Sequence, residues 1–353
     1  GTNLTYPLNR YTRFHQTSGT TGMPLRWLDT PESWDWMLES WGEVYRAAGV
    51  NHNDRIYFAF TFGPFIGFWM AFEAGARMGA LCIPGGGLSS AARVKAILDN
   101  GATVLCCTPT YALHLAEVAG EEKLDLQKSR VKAIMVAGEP GGSIPAIRTR
   151  LEQLWPGARV YDHHGMTETG PVTFQCSKRT GVLHVIESAY YTEIIDPSTG
   201  KPVPAGEPGE LVLTTLGRIG SPLLRYRTGD LVKADTQPCA CGRVELALVG
   251  GILGRTDDMV VVRGVNMYPS AVEEIIRAHD GVLEYQVQVN SVNSLTEISV
   301  RIEPQPGCAD ADALAARLEK SFQTQFALRV PVTVAPSGSL PRFEMKAKRW
   351  VKI

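Results

Sequence analysis

The run His15-Gln16-Thr17-Ser18-Gly19-Thr20-Thr21-Gly22-Met23-Pro24 concentrates hydroxyls and glycines near the start of the chain. Glycine lets a backbone turn tightly and approach an anion, and Ser and Thr hydroxyls with backbone N–H groups then donate to phosphate oxygens. No G-x-x-x-x-G-K-[ST] can be read in it, so it is not a Walker A loop. On composition alone a solvated linker fits the run better, and the segments downstream must decide. A second cluster is Cys239-Ala240-Cys241-Gly242-Arg243, where a C-x-C pair followed by glycine can aim two thiolates at one ion. With Cys176 and His184 upstream it makes a Cys₃His set, which would close the tetrahedron of a structural zinc. Buried reduced cysteines beside an unrelated histidine are the alternative. Cys82, Cys106, Cys107 and Cys308 read as apolar core residues.

The elements that must position these groups can be read from periodicity. Glu32 to Ala48 reads as an amphipathic helix carrying Trp34, Trp36 and Trp41. Short apolar strands are expected at Arg55–Phe60, Ala80–Ile83, Thr103–Cys107, Val131–Val136 and Arg159–Tyr161, separated by helical patterns at Ala91–Asn100, Tyr111–Ala119 and Ile144–Trp155. Such alternation predicts a layered α/β domain with a mostly parallel sheet. Turn signals then crowd together (Asp196-Pro197, Pro208-Gly209, Gly229-Asp230), and Glu210–Thr214 reads as strand, which predicts a smaller β-rich subdomain. Beyond Gly254–Asp258 the character changes again. A helix at Pro269–Ala278, strands Tyr285–Val289 and Glu297–Ile302 joined through polar Asn290–Asn293, a helix at Ala311–Phe326 capped by Asp310, and strand Val330–Val334 make a small α+β unit. The expected division is residues 1–254 and 255–353.

The chain has 353 residues, 44% of them hydrophobic and 20% charged, with a formal net charge of −1. This is an ordinary globular composition, with no global charge to attract nucleic acid or a membrane surface. Basic residues gather only at the end (Arg342, Lys346, Lys348, Arg349, Lys352). The longest apolar run, Ile56 to Ala71, is broken by Gly63, Pro64 and Gly67 and is too short to span a bilayer. Seven unevenly spaced cysteines argue against a disulfide scaffold and fit a reducing cytoplasm.

Six segments stand in order along the chain: TSGTTGMP at 17–24, AGEPGG at 137–142, YDHHGMTETG at 161–170, YRTGD at 226–230, GRTDDMVVVRG at 254–264 and LPRFEMKAKRW at 340–350. Together they resemble the adenylate-forming acyl-CoA synthetase superfamily, and within it the phenylacetate-CoA ligase-like branch, from about Tyr6 to Val351. The resemblance implies a large layered α/β domain with a β-rich subdomain and a small mobile α+β C-terminal domain. The portion that such ligases carry before the phosphate loop would be missing from this chain. It implies activation of a carboxylic acid with ATP and Mg2+ to an acyl-adenylate, then transfer to a thiol, usually that of CoA.

The site residues follow from the same resemblance. Ser18, Thr20, Thr21 and Gly22 match the phosphate loop, where relatives carry Lys in place of Met23. Glu168 matches the magnesium-associated glutamate, with Thr167 on the phosphate; a helix N-terminal acid is the alternative for Glu168. His164 stands where an aromatic packs on adenine, with His163, Gly165 and Met166 completing that segment. Gly138, Glu139 and Pro140 match the adenine-flanking turn, and Asp162 a polar adenine contact. Asp230 matches the ribose-binding aspartate, since a carboxylate can accept two hydrogen bonds from a diol. Arg255 matches a further ribose or phosphate contact, Asp257 the hinge, and Gly264 the lining of the CoA tunnel. Lys346 matches the catalytic lysine of adenylation, with Met345 where relatives carry Gly. Comparable Cys-rich segments in this branch agree with a zinc site.

Tyr57, Phe60, Phe62 and Phe65 offer an aromatic lining for an acyl pocket, suited to an aromatic or other apolar acid; plain core packing is the alternative. No acidic residue occurs from Arg55 to Met70, against an amino-acid substrate. An acid–CoA ligase is therefore expected. Delivery to a carrier-protein thiol or an amine stays open, as does a nucleotide- or acyl-binding protein that has lost turnover. The resemblance also suggests a homodimer.

Overall fold

The computed structural model describes residues 3–17, 24–263, 265–292, 295–343 and 347–353. An antiparallel hairpin, β1 (Arg13–Gln16) and β2 (Arg26–Asp29), opens the large unit. Thr30 caps helix α1 (Pro31–Ala47): its hydroxyl accepts the Ser33 N–H at 3.3 Å, and Pro31 fills the first turn, where no N–H donor is required.

Strand and helix then alternate through β3 (Arg55–Phe58), α2 (Ile66–Met78), β4 (Leu81–Pro84), α3 (Ser90–Asp99), β5 (Val104–Cys107), α4 (Pro109–Glu121), β6 (Ala133–Val136), α5 (Pro145–Leu154) and β7 (Arg159–Asp162). The strands form a parallel sheet in the order β4-β3-β5-β6-β7. Connections from β3 and β5 leave to opposite sides, which opens a crevice at their C-terminal ends. Side-chain alternation divides the core in two. Ile56, Phe58, Val104, Cys106 and Met135 pack with α1 and α2, whereas Tyr57, Leu105, Cys107, Ile134 and Val160 pack with α3, α4 and α5.

The β-rich part contains β8 (Gly165–Met166), β9 (Gly170–Pro171), β10 (Thr173–Gln175), β11 (Val182–Val185), β12 (Tyr190–Ile195), β13 (Pro208–Thr215), β14 (Tyr226–Lys233), β15 (Ala247–Val249) and β16 (Gly254–Arg255). β8 pairs with β9, β10-β11-β15 form one antiparallel sheet, and β12-β13-β14-β16 form another. Because β16 pairs Arg255 with Asp230 on β14, Arg255 is still held by the large unit's sheet.

The remaining elements are β17 (Val260–Val262), β18 (Val265–Met267), α6 (Pro269–Arg277), β19 (Val282–Val292), β20 (Leu295–Pro304), α7 (Ala311–Phe326), β21 (Val332–Val334) and β22 (Trp350–Lys352). The sheet β21-β20-β19-β22 packs against α6 and α7 through Val272, Ile276, Val287, Val300, Leu318 and Phe322. Asp310 caps α7 by accepting the Ala313 N–H at 2.8 Å. The expected polar join at 290–293 is shorter than the reading: the ladder continues through Asn290↔Glu297 to Val292↔Leu295. Within the basic chain end, Arg349 is 5% exposed and paired with acids, whereas Lys348 and Lys352 are exposed.

Candidate active site

The parallel sheet delivers its C-terminal ends to one crevice. Beyond β3 come Phe60, Phe62 and Phe65; beyond β6, the Gly138–Pro140 turn; and Asp162 ends β7. Gly138 takes φ +93, which lets the turn leave the strand where a side chain would be strained. Asp162 accepts a hydrogen bond from Ser143 Oγ, but burial outweighs that and pushes its carboxyl up to about 6. His163 turns inward against Trp41 (ring centroids 4.6 Å apart), and burial drives it down to about 3. His164 stays at the crevice, its N–H donating to Thr173 Oγ1 at 2.8 Å.

Asp230 reaches the same crevice from β14. Gly229, at φ +76, sits within the bulge of the β13–β14 ladder, and the Glu210 carboxylate accepts its N–H at 3.1 Å. Asp230 is 4% exposed. Burial opposes its charge, yet His164 and Arg255 outweigh that and hold its carboxyl below the usual range. Arg255 donates to Asp230 Oδ1 at 3.1 Å and, as a fork, to Asp257 at 2.8 and 3.1 Å. His164 Nε2 approaches Asp230 Oδ2 at 2.9 Å, and among the described residues this buried oxygen has no hydrogen-bond partner of good alignment. An acceptor left over in this way suits a hydroxyl donor such as a ribose diol.

Thr167 and Glu168 occupy the turn between β8 and β9, not a helix N-terminus. Their carbonyls accept hydrogen bonds from Arg218 Nη1 at 2.8 and 2.6 Å. Arg218, fully buried, also forks onto Asp29 at 2.7 and 2.8 Å. One guanidinium thus ties the Glu168 turn to the hairpin that flanks Ser18–Met23. Nothing local in the sequence marks Arg218, because Asp29 lies 189 positions away. Next to Glu168, Tyr226 has its phenol pushed up to about 12, first by burial and then by that carboxylate.

The phosphate-run residues Ser18, Thr20, Thr21 and Gly22, together with Gly264 and Lys346, lie outside the described residues. The strands flanking the run are closed by Thr17 N–H on the Leu25 carbonyl and Leu25 N–H on Thr17 Oγ1, both 3.0 Å.

The expected aromatic lining divides between two faces. Phe60 stacks on Phe68 at 4.0 Å and meets Phe62, while Phe65 lies edge-on to Phe68. Tyr57, one position out of phase, is fully buried on the other face of the sheet and does not join them. Helix α2, which carries Phe68, packs against β8 and β9 and so against the Glu168 turn.

Cys176, His184, Cys239 and Cys241 converge with all ligand atoms within 4.8 Å of one another. Cys176 Sγ lies 3.5 Å from Cys239 Sγ, and Cys241 Sγ lies 3.3 Å from His184 Nε2. Tetrahedral zinc with Zn–S near 2.3 Å and Zn–N near 2.0–2.1 Å would set an S···S pair about 3.8 Å apart and an S···N pair about 3.6 Å apart. His184 Nδ1 meets the Glu245 carbonyl at 3.1 Å, which leaves Nε2 free to face the thiols. These residues fit a closed structural metal site.

Residues 15–217 match the AMP-binding enzyme family and residues 264–352 the AMP-binding enzyme C-terminal domain. The phenylacetate-coenzyme A ligase of Thermus thermophilus is 32% identical over 96% of this chain and 80% of its own length. That of Escherichia coli is 31% identical over 97% and 79%. A crystal structure of 2-hydroxyisobutyryl-CoA ligase in the postadenylation state superposes with a TM-score of 0.93 at 28% identity, over 100% of this chain and 76% of that one. The same ligase with CoA in its thioesterification state gives 0.70 at 30% identity, over 99% and 75%. This chain belongs to the AMP-binding enzyme family, on the branch of the phenylacetate-coenzyme A ligases, and is an AMP-forming acid–CoA ligase.

Proposed function

We propose that the enzyme activates an aromatic or other apolar carboxylic acid with ATP as its acyl-adenylate and passes the acyl group to CoA. The carrying observation is Asp230: a buried carboxylate flanked by His164 and Arg255, with one oxygen that has no hydrogen-bond partner among the described residues. In this reading the ribose hydroxyls donate to Asp230, with Arg255 as a further contact. Adenine lies by His164 and the Gly138–Pro140 turn, with Asp162 at its polar edge. The aromatic cluster holds the apolar part of the acid, and its carboxylate points toward Thr167.

The phosphate run, through Ser18, Thr20, Thr21 and Gly22, would cradle the β- and γ-phosphates with neutral donors while the carboxylate attacks the α-phosphorus. Magnesium, when bound, neutralises phosphate charge, and Glu168 is the carboxylate available to hold it. Lys346 would steady the developing charge on the carboxylate and α-phosphate. Asp257 is the proposed hinge between units 1–254 and 255–353, and Gly264 the close-passage point for the CoA arm. The Cys₃His cluster would hold a structural zinc, and the free state of the seven cysteines supports a reducing, cytoplasmic setting. Among the described residues no helix is long and apolar enough to cross a membrane.

The test is acid-dependent pyrophosphate release with ATP and magnesium, over a panel of aryl and fatty acids that includes phenylacetate, with and without CoA. Release selective for an aryl acid and carried by CoA to AMP and thioester is the expected result. Release insensitive to CoA would point to a carrier thiol or amine as acceptor. No release with any acid from a protein that binds ATP would overturn the reading in favour of a retired nucleotide-binding protein.

A further inference from the structure

The two units are joined by a short circuit of hydrogen bonds that the ligase reading leaves unused. Glu139 stands in the turn after β6, and its carboxylate accepts two backbone N–H groups. Oε1 takes the Thr110 N–H, in the first turn of α4, at 2.8 Å. Oε2 takes the Ala347 N–H, on the C-terminal unit, also at 2.8 Å. Two residues further on, Arg349 Nη1 crosses back to Thr110 Oγ1 at 3.2 Å. The remaining Arg349 donors stay inside the C-terminal unit, on Glu284 at 2.7 and 3.1 Å and on Glu273 at 3.2 Å. The guanidinium also lies over the Tyr285 ring, 5.0 Å from its centroid.

The circuit separates what is permanent from what can be released. Arg349, Glu273 and Glu284 are buried and belong to one unit, so they would travel together if it turned. The bonds that cross between units end on a backbone N–H and a hydroxyl, both of which water can satisfy on separation. A carboxylate that accepts two N–H groups makes charge-assisted bonds, stronger and shorter than neutral ones. Ala347 directly follows Lys346 in the chain.

We propose that Glu139 and Thr110 are positioning residues for the adenylation step: they seat the segment after Lys346 against the nucleotide turn and release it for thioester formation. The proposal rests on the ligase reading for its chemistry. Glu139 serves the turn and the C-terminal unit with the same carboxylate, so nucleotide turn and lysine segment take their places together. The Thr110 hydroxyl accepts the crossing bond from Arg349, whereas its N–H stays on Glu139 within the large unit, so a change to the side chain is the cleaner probe.

The experiment compares wild type, Glu139→Gln and Thr110→Val in the two half-reactions, with phenylacetate as the acid and phenylacetyl-adenylate plus CoA for the second step. Small-angle scattering and thermal unfolding of each protein run alongside. Gln offers one acceptor where two N–H groups need one each, so kcat for pyrophosphate exchange should fall about tenfold. Thr110→Val should lower it about threefold to tenfold. Thioester formation from the preformed adenylate should stay at or above the wild-type rate in Thr110→Val, and scattering should shift from the wild-type pose in both variants. In Thr110→Val, equal losses in both half-reactions, a change confined to KM for ATP, or wild-type exchange would overturn the proposal. If wild type performs neither half-reaction, the ligase reading is what fails. Scattering then still decides: an unchanged pose in folded variants overturns the latch.

Discussion

Asp230 shows how a single side chain can be prepared for a ligand. Burial alone would raise its pKa; His164 and Arg255 reverse that and keep the carboxylate charged, while Oδ2 has no hydrogen-bond partner among the described residues. A diol would supply the missing donor. Asp230→Asn keeps the shape and removes the charge, and it should raise KM for ATP about ten- to a hundredfold. Arg255 would retain its fork on Asp257, so melting should change little. An unaltered KM would remove the ribose role. Asp230, Glu168 and Glu139 stand out in the sequence because each sits inside a contiguous segment that resembles the ligase pattern. Glu139 was legible only as a nucleotide-turn residue; its bond to Ala347 joins positions 208 apart, which no local pattern announces. Tyr57 was misgrouped with Phe60 for a simpler reason. A strand sends successive residues to opposite faces, and an aromatic run read as one lining ignores that period.

At the scale of elements, the β1–β2 hairpin and the β8–β9 turn are joined by Arg218, a fully buried cation over the Trp27 ring. Arg218→Ala leaves Asp29 uncompensated in the interior and should cost about 3–5 kcal/mol of stability, measured by chemical denaturation. Arg218→Lys restores the charge but not the fork, so it should recover only part of that loss. Little change in either variant would mean the hairpin is anchored by packing alone. The loop between β14 and β15 makes a second such joint, carrying Cys239 and Cys241 to Cys176 after β10 and His184 on β11. If zinc closes it, the purified protein should contain about one equivalent, and chelation should lower Tm before it lowers activity. Protein that is metal-free by elemental analysis, with a Tm indifferent to chelator, would exclude the site. Both joints tie together elements distant in sequence. The C-x-C spacing announced one of them; no spacing announced the other. Most helices and the parallel strands were legible because their periodicity is local, α2 inside the apolar run at 56–71 being the helix left without bounds, and Asp310 marked the start of α7 correctly. The end of the β19–β20 hairpin was misjudged because polar residues remain in its ladder when the partner strand continues.

At the scale of the whole molecule, several buried groups couple folding to pH with opposite signs. His15 is buried against Trp34 and Asp29, and His163 against Trp41. Burial lowers them to about 4 and about 3, from 6.5 in an open chain. As pH falls through 6.5 the unfolded chain takes up protons at both histidines and the native protein does not, so stability drops. Asp162 acts the other way: its native carboxyl binds a proton near 6 and its unfolded one only near 3.8. Glu273, raised by burial ahead of the opposing pull of Arg349, joins it. Acidification from pH 7.5 to 6 should therefore destabilise the protein through the histidines, and near 6 proton uptake by Asp162 should begin to flatten the decline. The variant His163→Gln separates the contributions. It loses packing at every pH, but it also removes one unfolded-state proton, so its stability should depend on pH less steeply by up to about 1.4 kcal/mol per unit below 6.5. Calorimetry of both proteins from pH 7.5 to 5 reads that difference directly. Parallel curves would mean that His163 titrates alike in the folded and unfolded chains, and the buried neutral imidazole beside the adenine segment would have to be given up.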